Sequence, residues 1–295
     1  MLSWAVQSLA AAVRRRRYVR PVRALPLVIS TIIAVALAPA LVRFLVSGGH
    51  VRPNYRGRLL ACPLGLLVIC APVFALGPLA LLNGLFGLQT LDIAAPFLVL
   101  GVAVLGLADD AYAGESRGWR GHARALVSGG FSTGFLKAAG TLGLALAWSA
   151  LTQPGIARFL LAGLVLVLAT NLFNLLDLRP GRSVKAFVVL AVLCSLIALD
   201  ITPLLELGLW AGPIVVAGFL DLRERGMLGD TGSNVVGIVA GLWLVLTLDT
   251  TGLAIAAGLL VVITVYGELK SINALIEGTP GLRQLDSIGR VRASA

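Results

Sequence analysis

Asn171, Asn174 and Asp177 recur at steps of three where a long apolar run, 156–170, comes to its end. On an α-helix each step of three drifts by about 60°, so two carboxamides and a carboxylate share one face. Arg179, Arg182 and Lys185 follow at once, around Pro180 and Gly181. Oxygen ligands beside a basic loop suit a divalent cation and a phosphorylated ligand. The same residues also read as a plain polar stop to a helix. Two further clusters have the same character. Asp109 and Asp110 close another apolar run after Gly106. Adjacent carboxylates there suit Mg²⁺ binding or proton acceptance, or a solvated helix end. Gly229-Asp230-Thr231-Gly232-Ser233-Asn234 opens a later run. Free N–H groups at such a helix start favour anions, and the same residues also read as ordinary capping.

The elements that must carry these clusters lie in a membrane. The chain is 58% hydrophobic and 13% charged, with mean hydropathy +0.94, whereas soluble domains carry about 25% charged residues. The expected fold is all-α and polytopic, with about nine transmembrane helices. Candidate spans are 24–46, 59–82, 91–108, 137–151, 156–176, 186–199, 204–220, 234–248 and 251–266. Pro26, Pro39, Pro63 and Pro72 fall within the first two and are expected to kink them. Residues 1–23 read as a basic N-terminal extension or interfacial helix, because arginines 14–17 follow the apolar stretch instead of preceding it. Residues 24–266 form the transmembrane domain, and 267–295 a cytoplasmic tail.

Counting crossings puts the loops 48–58, 109–135, 177–185 and 221–233 and the tail on one side. These hold most of the Lys and Arg beyond the N-terminus, which makes that side cytoplasmic. Arginines 14–17 fall on the other side, against the rule, and Arg158 is a second exception. The net charge of +10 is thereby assigned to loops and anionic headgroups instead of nucleic acid. Cys62, Cys70 and Cys194 sit in apolar runs without metal-ligand spacing and read as small hydrophobes. No P-loop, dinucleotide fingerprint or zinc-protease helix is present. A transporter would place ionisable groups near the bilayer midplane. Here they gather at one face, with Arg117, Arg120, His122, Arg124, Lys137, Arg179, Arg182, Lys185, Arg223 and Arg225 on the same side.

Asp109-Asp110, then Asn171-x-x-Asn174-x-x-Asp177, then Gly229-Asp230-x-Gly232-Ser233 resemble, in order and topology, the polyprenyl-phosphate N-acetylhexosamine-1-phosphate transferases. This is the glycosyltransferase 4-type membrane family that includes phospho-N-acetylmuramoyl-pentapeptide transferase. Arg52-Pro53-Asn54-Tyr55-Arg56-Gly57-Arg58 looks like that family's first cytoplasmic loop. The resemblance implies Mg²⁺-dependent transfer of a sugar 1-phosphate from a UDP-sugar to polyprenyl phosphate, releasing UMP, and the charge asymmetry of the loops points to an inner or plasma membrane. It makes Asp230 and Asn174 metal-side ligands. It gives Asp109 and Asp110 the lipid phosphate, Asp177 and Asn171 the nucleotide, and Lys137 a phosphate. Arg120, His122, Arg179 and Arg182 would contact substrate, and a homodimer would resemble some relatives. A phosphate monoester has its second pKa near about 6, so positioning and charge neutralisation outweigh proton removal.

The chain departs from the family at three places. Leu178-Arg179-Pro180-Gly181-Arg182 replaces a Gly-Leu-Asp-Gly type continuation. Ala113-Gly114 stands where a lysine is expected, and the late loop has no histidine. A catalytically inactive member that binds polyprenyl phosphate or a membrane partner is the alternative reading.

Overall fold

The computed structural model describes residues 23–87, 94–112 and 132–291. Residues 1–22 of the N-terminal extension, Arg117, Arg120, His122 and Arg124 therefore lie outside the described residues. The order is α1 (Leu25–Ser47), β1 (Val51–Pro53), β2 (Leu59–Ala61), α2 (Gly65–Phe86), α3 (Ala94–Tyr112), α4 (Thr133–Thr152) and α5 (Ile156–Leu176). Then come α6 (Arg182–Ala198), α7 (Thr202–Glu206), α8 (Gly208–Leu222), α9 (Gly229–Thr247), α10 (Thr250–Leu269), α11 (Ile272–Gly278) and α12 (Pro280–Ser287). The all-α, multi-pass architecture expected from composition is present.

Seven of the described helices, α1 to α5, α9 and α10, are long and apolar enough to cross a membrane. The expected spans 186–199 and 204–220 correspond to shorter helices. One is the 17-residue α6; the other run breaks at Leu207 into α7 and the 15-residue α8. Pro39 and Pro72 lie inside α1 and α2, but Pro26 occupies the first turn of α1, where its missing N–H costs nothing. Pro63 precedes α2 altogether.

α9 is the axis of the bundle. Its apolar window is 83% buried, against 17–39% for the other six spanning helices. It packs on α5, α3, α6 and α2. Small residues permit this. A Cβ added at Gly237 would lie 2.6 Å from the Thr170 Cα, so α5 and α9 approach backbone to backbone. The outer helices turn Ile32, Phe97, Leu160 and Val262 outward, as a lipid surroundings requires of spanning segments. The far end of α9 is closed by Arg158 at the start of α5. Its Nη2 donates to the carbonyls of Val245 (2.8 Å) and Leu248 (3.1 Å), and Nε donates to Gln153 Oε1 (2.9 Å). Arg158 thus satisfies C-terminal carbonyls that a helix leaves open, which accounts for its exception to the charge rule.

At the opposite end the antiparallel helices deliver all the polar clusters to one face. There the first loop forms a hairpin, with Val51 opposite Ala61 and Pro53 opposite Leu59. Residues 59–61, expected to begin a span, are its second strand. The strand continues into the segment before α9: Met227 N–H donates to Ala61 O (2.8 Å), Leu64 N–H to Met227 O (2.7 Å) and Gly65 N–H to Leu228 O (3.0 Å). Glu224, buried at 3% exposure, anchors the hairpin by ion pairs to Arg58 (3.1 Å) and Arg56 (3.4 Å) and accepts from Asn54 Nδ2 (3.3 Å).

Candidate functional site

Asp109 and Asp110 ride on the last turn of α3, Lys137 on the first turns of α4, Asn171 and Asn174 on the last turns of α5, and Asp230 on the first turn of α9. Ser132 positions Lys137, because its Oγ accepts from the Phe135 N–H (3.3 Å) and starts α4 one turn before the lysine.

Lys137 Nζ lies 2.6 Å from Asp109 Oδ2 and 2.9 Å from Asp230 Oδ1. One ammonium therefore bridges the first and third clusters. Asp110 binds the same helix start differently. Its Oδ1 accepts from the Asp230 N–H (3.0 Å), and its Oδ2 from the Thr231 N–H (2.7 Å) and Thr231 Oγ1 (2.6 Å). α9 has no capping side chain of its own, so a carboxylate from α3 satisfies its orphan donors. The capping role expected of Asp230 to Asn234 is filled by Asp110. Ser233 Oγ donates to Asn174 Oδ1 (2.9 Å) and touches Asp230 O (3.4 Å), joining the second cluster to the third. Asp109, Asp110, Asn174 and Asp230 thus converge. Asn171 sits half-buried one turn deeper in α5.

Gly106 makes the convergence possible. A Cβ there would stand 2.7 Å from Asp230 O and 2.8 Å from Thr231 Cα, and backbone on both sides has no rotamer to give. Gly106→Ala should cost about 1–3 kcal/mol through overpacking. A melting temperature within a degree of wild type would show that α3 and α9 do not meet as described.

Asp177 ends α5, its N–H bonded to Asn174 O (3.2 Å). Burial, reinforced by the like charges of Asp221, Asp230 and Asp110, pushes its carboxyl well above the usual carboxylate range. The folded state then holds its proton to higher pH than the unfolded chain does. Its favourable contribution is complete below the unfolded pKa and is lost as pH rises through the folded one. Asp177→Asn should therefore raise the melting temperature more at pH 8 than at pH 5. An equal effect at both pH values would remove the charge crowding.

The basic loop after α5 faces elsewhere. Arg179 Nη2 pairs with Glu277 of α11 (2.7 Å), and its guanidinium lies 4.5 Å from the centre of the Tyr55 ring. Arg182 is 4% exposed; Nε and Nη2 grip the two oxygens of Asp286 (3.0 and 2.9 Å), and Nη2 also reaches Asn273 (3.1 Å). Both arginines, assigned to substrate from sequence, are held by the C-terminal helices. Arg52 was unassigned. Its Nη2 donates to the Asp110 main-chain oxygen and its Nη1 stands 3.6 Å from Asp110 Oδ1. Asp221, which accepts from the Gly181 N–H (2.7 Å) and fixes the loop beside Asp177, was also missed.

Oxygen donors define what the site could hold. Among the described residues no group of three His, Cys, Asp or Glu side chains forms a metal cage. The Asp230 carboxylate lies on Lys137, and Ser233 ties the Asn174 carboxamide to the main-chain oxygen of Asp230. That sparse set fits Mg²⁺, which binds through one or two protein groups plus substrate phosphates. No protein-family model matches the chain, and no curated protein matches it either.

Proposed function

We propose that this chain transfers a sugar 1-phosphate, of N-acetylhexosamine type, from a UDP-sugar to polyprenyl phosphate and releases UMP. The observation that carries the reading is the Lys137 bridge between Asp109 and Asp230, with Asp110 and Asn174 locked to the same helix start. Motifs more than fifty residues apart would not need to meet at one lysine and one helix start if each merely ended a helix. Asp230 and Asn174 would hold Mg²⁺, which when bound supplies charge neutralisation for the diphosphate. Lys137 places a second positive charge beside Asp109 for the phosphoryl oxygens, and positioning plus charge account for the rate. Asn171 near the end of α5 and Asp177 at its C-cap line the nucleotide side.

The reading includes about nine crossings, with α6 and the α7–α8 pair as the two short ones. It places the site at the cytoplasmic face of an inner or plasma membrane, where the basic loops gather. The test is Mg²⁺-dependent UMP release from a panel of UDP-amino sugars by the reconstituted chain with undecaprenyl phosphate. Asp230→Ala should abolish release while leaving expression normal. Retained release would overturn the metal assignment. Lipid binding without UMP release from any donor would identify an inactive relative instead.

A further inference from the structure

We propose that the cleft between the end of α1, strand β1 and the last turn of α3 binds the phosphate head and first isoprene units of a membrane-embedded prenyl monophosphate, with Arg52 and His50 as its phosphate ligands. This rests on the transfer reading and gives the acceptor its place. The cleft has a volume of about 390 Å³. Phe44, Leu66 and Leu107 form its apolar wall, and His50, Arg52 and Asp110 its polar end. Phe44 is 62% exposed on the outer side of a spanning helix, so the cleft opens sideways toward lipid.

The polar end has unspent donors. Arg52 is 46% exposed and makes one hydrogen bond, to the Asp110 main chain; at 3.6 Å its contact with Asp110 Oδ1 is beyond hydrogen-bond range. A guanidinium has five N–H donors, so a fork remains for phosphate. The Asp110 carboxylate is already occupied by three donors of α9. His50 is held at the rim by its backbone, with its N–H on Leu45 O (2.8 Å) and its carbonyl accepting from the Cys62 N–H (3.0 Å). Its imidazole is exposed.

A monoester, carrying nearly two charges at neutral pH, matches two adjacent donors better than a diester phospholipid does. A volume of about 390 Å³ suits the start of one prenyl chain, whereas a phospholipid presents two chains. Asp110 lies in both the cleft wall and the α9 start, so a phosphate on Arg52 stands next to the Lys137 bridge.

The experiment measures binding of farnesyl monophosphate to the full chain in phosphatidylcholine nanodiscs. Arg52→Ala should weaken binding at least about tenfold and His50→Ala about threefold, while Arg52→Lys recovers part of the loss. Phe44→Ala should weaken farnesyl monophosphate but leave inorganic phosphate unchanged, and farnesol should not compete. Unchanged affinity in both Arg52→Ala and His50→Ala overturns the proposal, as does equal competition by phosphatidylglycerol. If the variant pattern holds while no UDP-sugar yields UMP, the cleft stands and the transfer reading falls alone. If UMP is released and these variants keep the wild-type KM for lipid acceptor, the cleft is wrong and the transfer reading stands.

Discussion

On the proposed transfer reading, Lys137→Met will cut UMP release by about a hundred- to a thousandfold and will make the protein's melting temperature respond to Mg²⁺ more strongly than wild type. The Lys137 side chain is 17% exposed, and carboxylate oxygens of Asp109 and Asp230 both lie within 3 Å of its ammonium. Methionine keeps much of the stem and removes the charge, leaving two carboxylates around an uncharged gap. Removing one preorganised donor aimed at developing negative charge typically costs about two to three orders of magnitude in rate. Their mutual repulsion also turns the gap into a divalent-cation site, so millimolar MgCl₂ should recover melting temperature in the variant. Activity within tenfold of wild type would mean that Lys137 only neutralises the acids. A missing Mg²⁺ response would mean that the two carboxylates can separate.

Asp110→Asn will be nearly as damaging as Asp110→Ala, although asparagine has almost the same shape. Both carboxylate oxygens act as acceptors, one for the Asp230 N–H and one for the Thr231 N–H and hydroxyl. A carboxamide offers one acceptor oxygen and turns an NH₂ against donors. An orphaned buried donor costs about 1–3 kcal/mol, enough to lower the melting temperature by several degrees in a chain of this size. Release of UMP should fall with it, because the same bonds set the angle of Asp230. An Asn variant with wild-type melting temperature would show that the start of α9 is capped in another way.

The chemistry-bearing residues were legible because they are polar letters in apolar text. Asp109, Asn174 and Asp230 stand out at the ends of long hydrophobic runs, and α5 was placed to the residue, at Ile156–Leu176. What could not be read was who faces whom. Asp110 as a cap for α9 is a contact across 121 positions, and nothing local marks it. Asp230 was expected to precede its helix, but α9 begins at Gly229, so hydropathy alone placed that start five residues late. Arg179 and Arg182 follow the positive-inside pattern, and that pattern is silent on whether a cation meets substrate or an acid such as Glu277 or Asp286 about a hundred positions on. Leu59-Leu60-Ala61 runs on without a break in hydropathy toward the apolar residues of α2, so periodicity does not mark it as a strand.

Arg158 gives α9 a property beyond burial. The helix is gripped by an acid from α3 at its positive pole and by a base from α5 at its negative pole, each matched to the partial charge it meets. A rod clamped at both tips cannot ratchet along its own length without breaking one clamp. Whatever breathing opens the site must therefore come from the rim, where the hairpin and the C-terminal helices are fastened by arginine side chains, while the anvil beneath stays still.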